Sequence, residues 1–551
     1  MQNIKETINR FEHMQTKAPE WGAFLLYFIS HIVLSAYHEN WYDECVAWMI
    51  AKYTSVKDIL FYVPHYEGHP PLWHLILKVF SMVGVNFHVA LSIVVISFSS
   101  AAVYLILFYA PFPRTIRLAL PFTYFIFYQY GVISRPYCVM MLAFFLMALS
   151  FQDKDNKPKA FILSSILLCL SSAYGIVITF GLFVVWMFEI LKEKYDRDEL
   201  TLRKLVSDNR VIGMIITGIV ALVIVYLISP RNNTYAITNI TTKFTFEDFI
   251  RRIIYIFFCM IPDTFCYDVF SSKGADLYIV AFWGVILLVY VFMWGRKKKT
   301  LFWFFVPYFI FSLFSSVIYL YRHHTGIIGI FFIFWCWISY KNDSDLKQDK
   351  YGVITNPSVN IAEAKGLLIY TVLTYAMIVS IYYSICSSTN DLRYSYSSGK
   401  DIASFIKSYG LTDYRIMADW TDEESCFNMQ ISNAYIINPY FENNIFDYYS
   451  YGSDGKYTLH VVMTEEEENR LIEKWNEIGP PDIFIGKSNL SKIFGNDVYL
   501  DNNYIYVFCD LAHVSWKSSI DNTAIGIYIK KDIADKLGLK EVSRPVIISD
   551  L

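Results

Sequence analysis

A succession of long apolar runs constrains this chain more than any other feature. They fall near 21–37, 87–109, 117–132, 134–151, 160–174, 176–191, 211–229, 276–294, 301–320, 325–340 and 366–386. A bilayer core about 30 Å thick is crossed by roughly 20 helical residues, so the pattern predicts about eleven transmembrane helices, several of them short. With 55% apolar and 18% aromatic residues against 18% charged, the chain carries more apolar surface than one soluble core absorbs. The expected fold is therefore an α-helical polytopic membrane protein. Residues 1–19 are mixed in charge and no small-residue cleavage site follows the run at 21–37, so that run reads as a retained anchor and not a removed signal peptide.

The segment 72–84, bounded by Pro71 and Gly84, is too short to span. As a helix it covers only about 20 Å. Leu72, Ile76, Val79 and Val83 make an apolar stripe and His74, Lys78 and Ser81 a polar one, the pattern of a helix lying in the membrane interface. Basic residues give an independent test, because cytoplasmic loops carry them in excess. Leaving 72–84 out of the span count places Arg114 and Arg117, Lys154, Lys157 and Lys159, the segment from Lys192 to Arg210, the run Arg296 to Lys299, and Lys341 through Lys365 on one side. That side is then the cytoplasm, with the N-terminus. The loop 38–86, the turns at Arg135 and Arg322, the long loop 230–275 and everything after 387 face outward.

Two domains follow from this division. Residues 1–386 form the membrane domain, and residues 387–551 a soluble, extracytoplasmic α/β domain. Helix-like stretches at 399–409 and 464–477 alternate there with strand candidates at 414–418, 482–486, 503–509 and 524–530. Residues 44–62 read as a second interfacial helix, with Met49, Tyr53, Val56 and Leu60 at helical spacing. The nine cysteines show no zinc spacing. Cys426 and Cys509 could pair outside the cell, but buried thiols serve equally well.

Nearly every group fit for chemistry collects on the outer side. Asp43 and Glu44 begin the helix-like stretch after the first span. An acidic pair there caps free N–H groups and suits the positive helix end, and it also supplies a general base for a hydroxyl nucleophile. Glu67 and His69 follow in the same loop. A phosphate leaving group needs cations rather than a second acid, and His69, Arg135 and Arg322 lie at the outer helix ends where such a group would sit. Single arginines at such ends also snorkel to headgroups. His38, His65, His69 and His74 crowd the loop with Glu39, Asp43, Glu44 and Glu67, yet their spacing matches no zinc motif.

The Asp43-Glu44 pair after the first span, with EGHPPLW some twenty residues on, resembles the first outer loop of GT-C class glycosyltransferases that use polyprenyl-phosphate sugars. Protein O-mannosyltransferases and lipid A aminoarabinose transferases are the relatives in question. SRPY at 134–137 looks like their arginine-tyrosine signature at an outer helix end, and YRHHTG at 321–326 like the arginine-histidine element of some bacterial members. The likeness covers roughly 20–386 and does not reach the C-terminal domain. It implies a GT-C-like fold and an inverting transfer of a sugar from polyprenyl phosphate to a hydroxyl on a protein, lipid or cell-surface glycan.

By the same resemblance Asp43 is the catalytic carboxylate and Glu44 assists or orients. Glu67, His69, Arg135, Tyr137, Arg322 and His323 bind donor phosphate and substrate. The loop 230–275, with Arg251 and Arg252, corresponds to a mobile covering loop. No cofactor is required by this reading; a divalent metal is the alternative, since some such enzymes use one and others do not. The partners implied are the lipid-linked donor, the hydroxyl acceptor and the bilayer. With basic residues spread among short loops, nucleic acid is excluded. Two other readings compete. A carrier or flippase for lipid-linked sugar would place ionisable groups deep in its spans, where apart from His31 almost none occur. The other is a catalytically silent relative that binds lipid sugar or stabilises a partner, against which the intact acidic loop argues.

Overall fold

The computed structural model describes residues 10–12, 14–231, 234, 246–272, 274–318, 320–341, 347–348, 354–355, 364–418, 432–449, 464–486, 491–494 and 503–543. Seven of the described helices are long and apolar enough to cross a membrane: Ala18–Tyr37, Phe87–Tyr109, Ala173–Asp196, Asn209–Ile228, Ala275–Lys298, Arg322–Lys341 and Val372–Arg393. The chain is a helical membrane protein with a small C-terminal sheet. The segments expected at 134–151, 160–174 and 301–320 form shorter apolar helices, Tyr137–Ser150, Lys159–Ser171 and Leu301–Val317. Among the described residues seven helices have the length and hydropathy of a span, against about eleven read from the sequence.

The described residues divide into two compact units, Met1–Val33 with Ile93–Leu227 and Lys243–Cys386, and Leu34–Ser92 with Ile228–Thr242 and Ser387–Leu551. In the first unit, helix Asn209–Ile228 exposes Ile215, Ile216, Ile219, Leu222 and Tyr226, and helix Ala275–Lys298 exposes Ile279, Phe282, Trp283, Ile286 and Val289. Leaving such surface in water costs about 25 cal/mol per Å², a cost that lipid removes. Helix Arg322–Lys341 is the innermost, with Phe331, Phe334, Trp335 and Trp337 fully buried. At one end of this unit charged side chains staple helices together. Arg210 pairs with Glu193 at 2.6 Å and Asp208 at 2.8 Å, Lys154 with Glu189 at 3.2 Å, and the Trp186 indole donates to Asp155. Basic residues that the sequence offers as a topology signal therefore also hold ion pairs.

The run expected to span at 117–132 is not one helix. It breaks into helix Arg114–Ala119, a 3-10 turn Leu120–Phe122 and a π turn Phe125–Gln129. Pro121 lacks the N–H that a continuous helix needs, and Thr123 is extended. Broken backbone at membrane depth survives only where its polar groups find partners inside the protein. Here the first helix supplies them: Tyr27 donates its hydroxyl to Ile126 O at 3.0 Å, and the His31 ring nitrogens lie 2.7 Å from Tyr27 O and Phe127 O. His31, the one ionisable group noted at a span centre, is thus placed against the break.

In the second unit, the helix expected over 44–62 is two helices, Tyr42–Tyr53 and Val56–Phe61, because Ser55 leaves helical geometry and its hydroxyl accepts the Asp58 N–H at 3.1 Å. The first is a core helix rather than an interfacial one, buried from Glu44 to Ala51. Helix Leu72–Met82 packs beside it with its polar stripe turned inward. Lys78 Nζ donates to Thr54 O at 2.9 Å and Ser81 Oγ to Ala51 O at 3.2 Å. Its apolar stripe points out, with Val79, Met82 and Val83 exposed by 61, 73 and 72%. An apolar stripe turned outward on a segment too short to span is what the interfacial reading of this helix expects.

The C-terminal sheet has four strands in the order Ile416–Ala418, Ile483–Ile485, Ser519–Lys530, Tyr504–Trp516. The first two are parallel and the other pairings antiparallel. All four lie on segments read as strands, though the last two extend much further as a long hairpin. Helices Gly399–Ser408 and Glu465–Ile478 accompany them around a core that includes Ile402, Ile416, Trp475, Phe484 and Ile527. Cys426 lies outside the described residues, and Cys509 is partly buried.

Candidate functional site

The eight residues singled out by sequence fall into two sets. Asp43, Glu44, Glu67 and His69 belong to the second unit, and Arg135, Tyr137, Arg322 and His323 to the first.

The acidic set stands on a buried framework. Trp41 precedes helix Tyr42–Tyr53 and donates its backbone N–H to Glu44 Oε2 at 2.8 Å, the reciprocal half of a capping box. Asn40 donates to Glu44 Oε1 at 3.3 Å, and His88 donates in turn to Asn40. His38 then bridges two carboxylates, donating to Glu44 Oε2 at 3.1 Å and to Asp391 Oδ2 at 2.9 Å. All three groups are closed off from solvent, with His38 3%, Glu44 0% and Asp391 3% exposed. Burial alone drives the imidazole toward its neutral form, but the Asp391 and Glu44 carboxylates outweigh it and push His38 up to about 10. Glu44 is therefore one half of an internal ion pair, in a capping and orienting place.

Its neighbour Asp43 stays partly exposed. The Tyr42 phenol lies among Asp43, Tyr435 and Glu67, and burial followed by these three groups holds its pKa well above the usual value. It remains a neutral hydrogen-bond donor beside two carboxylates. Glu67 ends the short turn Pro64–Glu67, which Gly68 closes in the left-handed region at φ 64°. His69 and the Pro70-Pro71 pair then lead into helix Leu72–Met82, with His69 half-buried. His65 anchors the turn: its Nδ1–H donates to Ser229 O at 2.8 Å, so Nε2 is free to accept from Arg231 Nη2 at 3.1 Å. Arg231 is a cation beside this loop that the sequence reading did not single out. Nothing in its local sequence announces it.

The cationic set is built on three helices of the first unit. Pro136 starts helix Tyr137–Ser150, placing Arg135 immediately before it, half-buried. The Tyr137 ring stacks on Tyr130 at 5.0 Å and lies 5.8 and 5.9 Å from His323 and His324. Tyr130 donates its hydroxyl to His323 O at 2.8 Å, and Tyr174 packs on His324 at 4.9 Å. The turn Arg322–His324 is held by Tyr321 N–H donating to His324 Nδ1 at 2.9 Å and by Thr325 Oγ1 donating to Arg322 O at 2.8 Å. Gly326 is required next, since a Cβ there would meet the Phe125 ring and the Tyr130 hydroxyl. The SRPY and YRHHTG elements are thus brought together, with Arg135 close enough to His324 to act on it electrostatically. Tyr130, Tyr174 and His324 complete this group and lay within apolar runs or beside a named residue. Arg251 and Arg252 fall on helix Phe246–Ile254, the helical segments Tyr255–Cys259 and Met260–Phe265 follow it, and residues 232–233, 235–245 and 273 of loop 230–275 lie outside the described residues.

Among the described residues no three histidine, cysteine or acidic side chains are grouped as a metal site. No family model, curated protein or solved structure matches the chain.

Proposed function

We propose that the chain is an inverting glycosyltransferase that moves a sugar from a polyprenyl-phosphate donor to a hydroxyl acceptor at the extracytoplasmic face of a membrane. The observation that carries this reading is the unequal fate of two adjacent carboxylates. Glu44 is locked into an internal ion pair with His38, while Asp43 stays partly exposed beside Glu67 and a neutral Tyr42. An anchored neighbour holds Asp43 in place as a general base.

In the reaction, the acceptor oxygen forms a bond to the anomeric carbon while its proton passes to Asp43. The bond from that carbon to the phosphate oxygen breaks, and the phosphate leaves with the electron pair, so no acid is needed on the leaving side. Arg135, Arg322 and His323, with Tyr137 against His323, are suited to a phosphate monoester, arginine for its bidentate fork and histidine for its point charge. His69 and Glu67, on the acidic loop, are assigned to substrate binding in this reading. Turnover needs no metal in this scheme.

The test uses membranes carrying the protein, their own envelope acceptors and labelled polyprenyl-phosphate mannose. Release of polyprenyl phosphate with transfer of label to an acceptor supports the reading, and Arg135→Ala should lower kcat/KM by about 10–100-fold through lost phosphate contact. Movement of the intact labelled lipid across reconstituted vesicles without any transfer would replace it with a carrier.

A further inference from the structure

Among the C-terminal residues that meet the acidic loop, Tyr435 has no part in the reaction scheme. Tyr435 lies on helix Ser432–Ile437, and its ring meets that of Tyr42 edge-on, with centroids 6.4 Å apart and planes at 85°. The two rings make a right-angled corner. Both are partly buried against the same apolar cluster, Val46, Ile50, Ile59 and Val63, and both keep an exposed portion. Asp43 and Glu67 act on the Tyr42 hydroxyl at this corner.

The helix carrying Tyr435 is tightly held. Ile436 and Ile437 are buried, and Gly399 allows the close approach of the backbone, since a Cβ there would meet Ile436 O. Asn438 donates to Asn444 at 2.7 Å just beyond it. The ring is therefore presented by a rigid support, at little further cost in side-chain entropy when a ligand docks.

We propose that Tyr42 and Tyr435 form a stacking corner for a neutral carbohydrate, the acceptor glycan of the reaction, and that the C-terminal domain thereby takes part in acceptor choice. The proposal rests on the glycosyltransferase reading. An aromatic ring attracts the apolar C–H face of a pyranose, and a second ring at right angles bounds its edge. The carboxylates of Asp43 and Glu67 accept hydrogen bonds from sugar hydroxyls, which are stronger for being charge-assisted. The same two charges disfavour an anionic sugar at this corner.

The experiment begins with the wild-type protein in detergent and mannotriose as the probe. Saturating the protein's aromatic protons should transfer magnetisation to the C–H protons of mannotriose, and much less to those of an oligoglucuronate of the same length. Tyr435→Leu keeps the apolar packing and removes the ring face. It should weaken mannotriose binding at least about fivefold and raise the acceptor KM, leaving the donor KM and the melting temperature unchanged, whereas Tyr435→Trp should retain binding. Absence of transfer in the wild type, equal transfer to both sugars, or full binding by Tyr435→Leu would overturn the proposal. Failure of the reaction reading looks different: mannotriose would still bind through Tyr435 while Asp43→Asn turned over at the wild-type rate.

Discussion

Replacing His38 by Phe isolates the charge at the centre of the buried framework. The ring contact with Tyr396, 4.8 Å between centroids, is available to phenylalanine, so what is lost is the cation between Glu44 and Asp391. Removing one partner of a buried ion pair costs about 3–5 kcal/mol. The rise of the His38 pKa from its ordinary 6.5 to about 10 corresponds, at roughly 1.36 kcal/mol per pH unit, to about 5 kcal/mol. Because the folded-state pKa is raised, this stabilisation is fully present below about pH 6.5, stands near 4 kcal/mol at pH 7 and is lost as pH rises through about 10. If the second unit melts cooperatively, the variant should melt about 8–16 °C lower at pH 7 in detergent. The gap to wild type should narrow by pH 10, and adding Asp391→Asn should recover part of it. A shift below about 2 °C at pH 7, or a gap that does not change between pH 7 and 10, would refute the assignment of a charged, load-sharing His38.

Three further outcomes follow from other parts of the molecule. Glu39 is buried, and burial, with Asp401 and Asp510 adding to it, pushes its carboxyl up to about 8; ionising it therefore costs stability as pH rises from its unfolded value toward 8, and Glu39→Gln should raise the melting temperature more at pH 9 than at pH 5. A Cβ at Gly131 would meet Phe127 O and the His31 ring, so Gly131→Ala should cost about 1–3 kcal/mol, read as a lower melting temperature with His31→Asn for comparison. A fluorophore attached at Val79→Cys should be quenched by spin-labelled lipid and one at Ser81→Cys much less; equal quenching would deny helix Leu72–Met82 its place on the bilayer.

The long spans were legible because twenty apolar residues leave a chain little choice in lipid, and Phe87–Tyr109 and Asn209–Ile228 lie where hydropathy puts them. Composition does not say where such a run is broken. The turn at 120–129 depends on Tyr27 and His31, about a hundred residues away, accepting the role of partners. The same limit applies to the acidic loop. Helix Tyr42–Tyr53 has the spacing of a surface helix, but the C-terminal residues that bury it come almost four hundred positions later. The pairing of His38 with Asp391 spans 353 positions, so the sequence shows an Asp-Glu pair without showing that Glu44 is locked to His38. The meeting of Tyr137 with His323 was suggested by motif likeness, whereas the stack of Tyr130, Tyr174 and His324 around them has no signal beyond aromatic richness.

The most direct measurement compares Asp43→Asn with Glu44→Gln in two assays, transfer from labelled polyprenyl-phosphate mannose and melting in detergent. The account predicts that Asp43→Asn lowers kcat by about 10²–10⁴-fold with the melting temperature unchanged, and that Glu44→Gln lowers the melting temperature first. Wild-type turnover by Asp43→Asn, or a large loss of stability in that variant with none in Glu44→Gln, would contradict it.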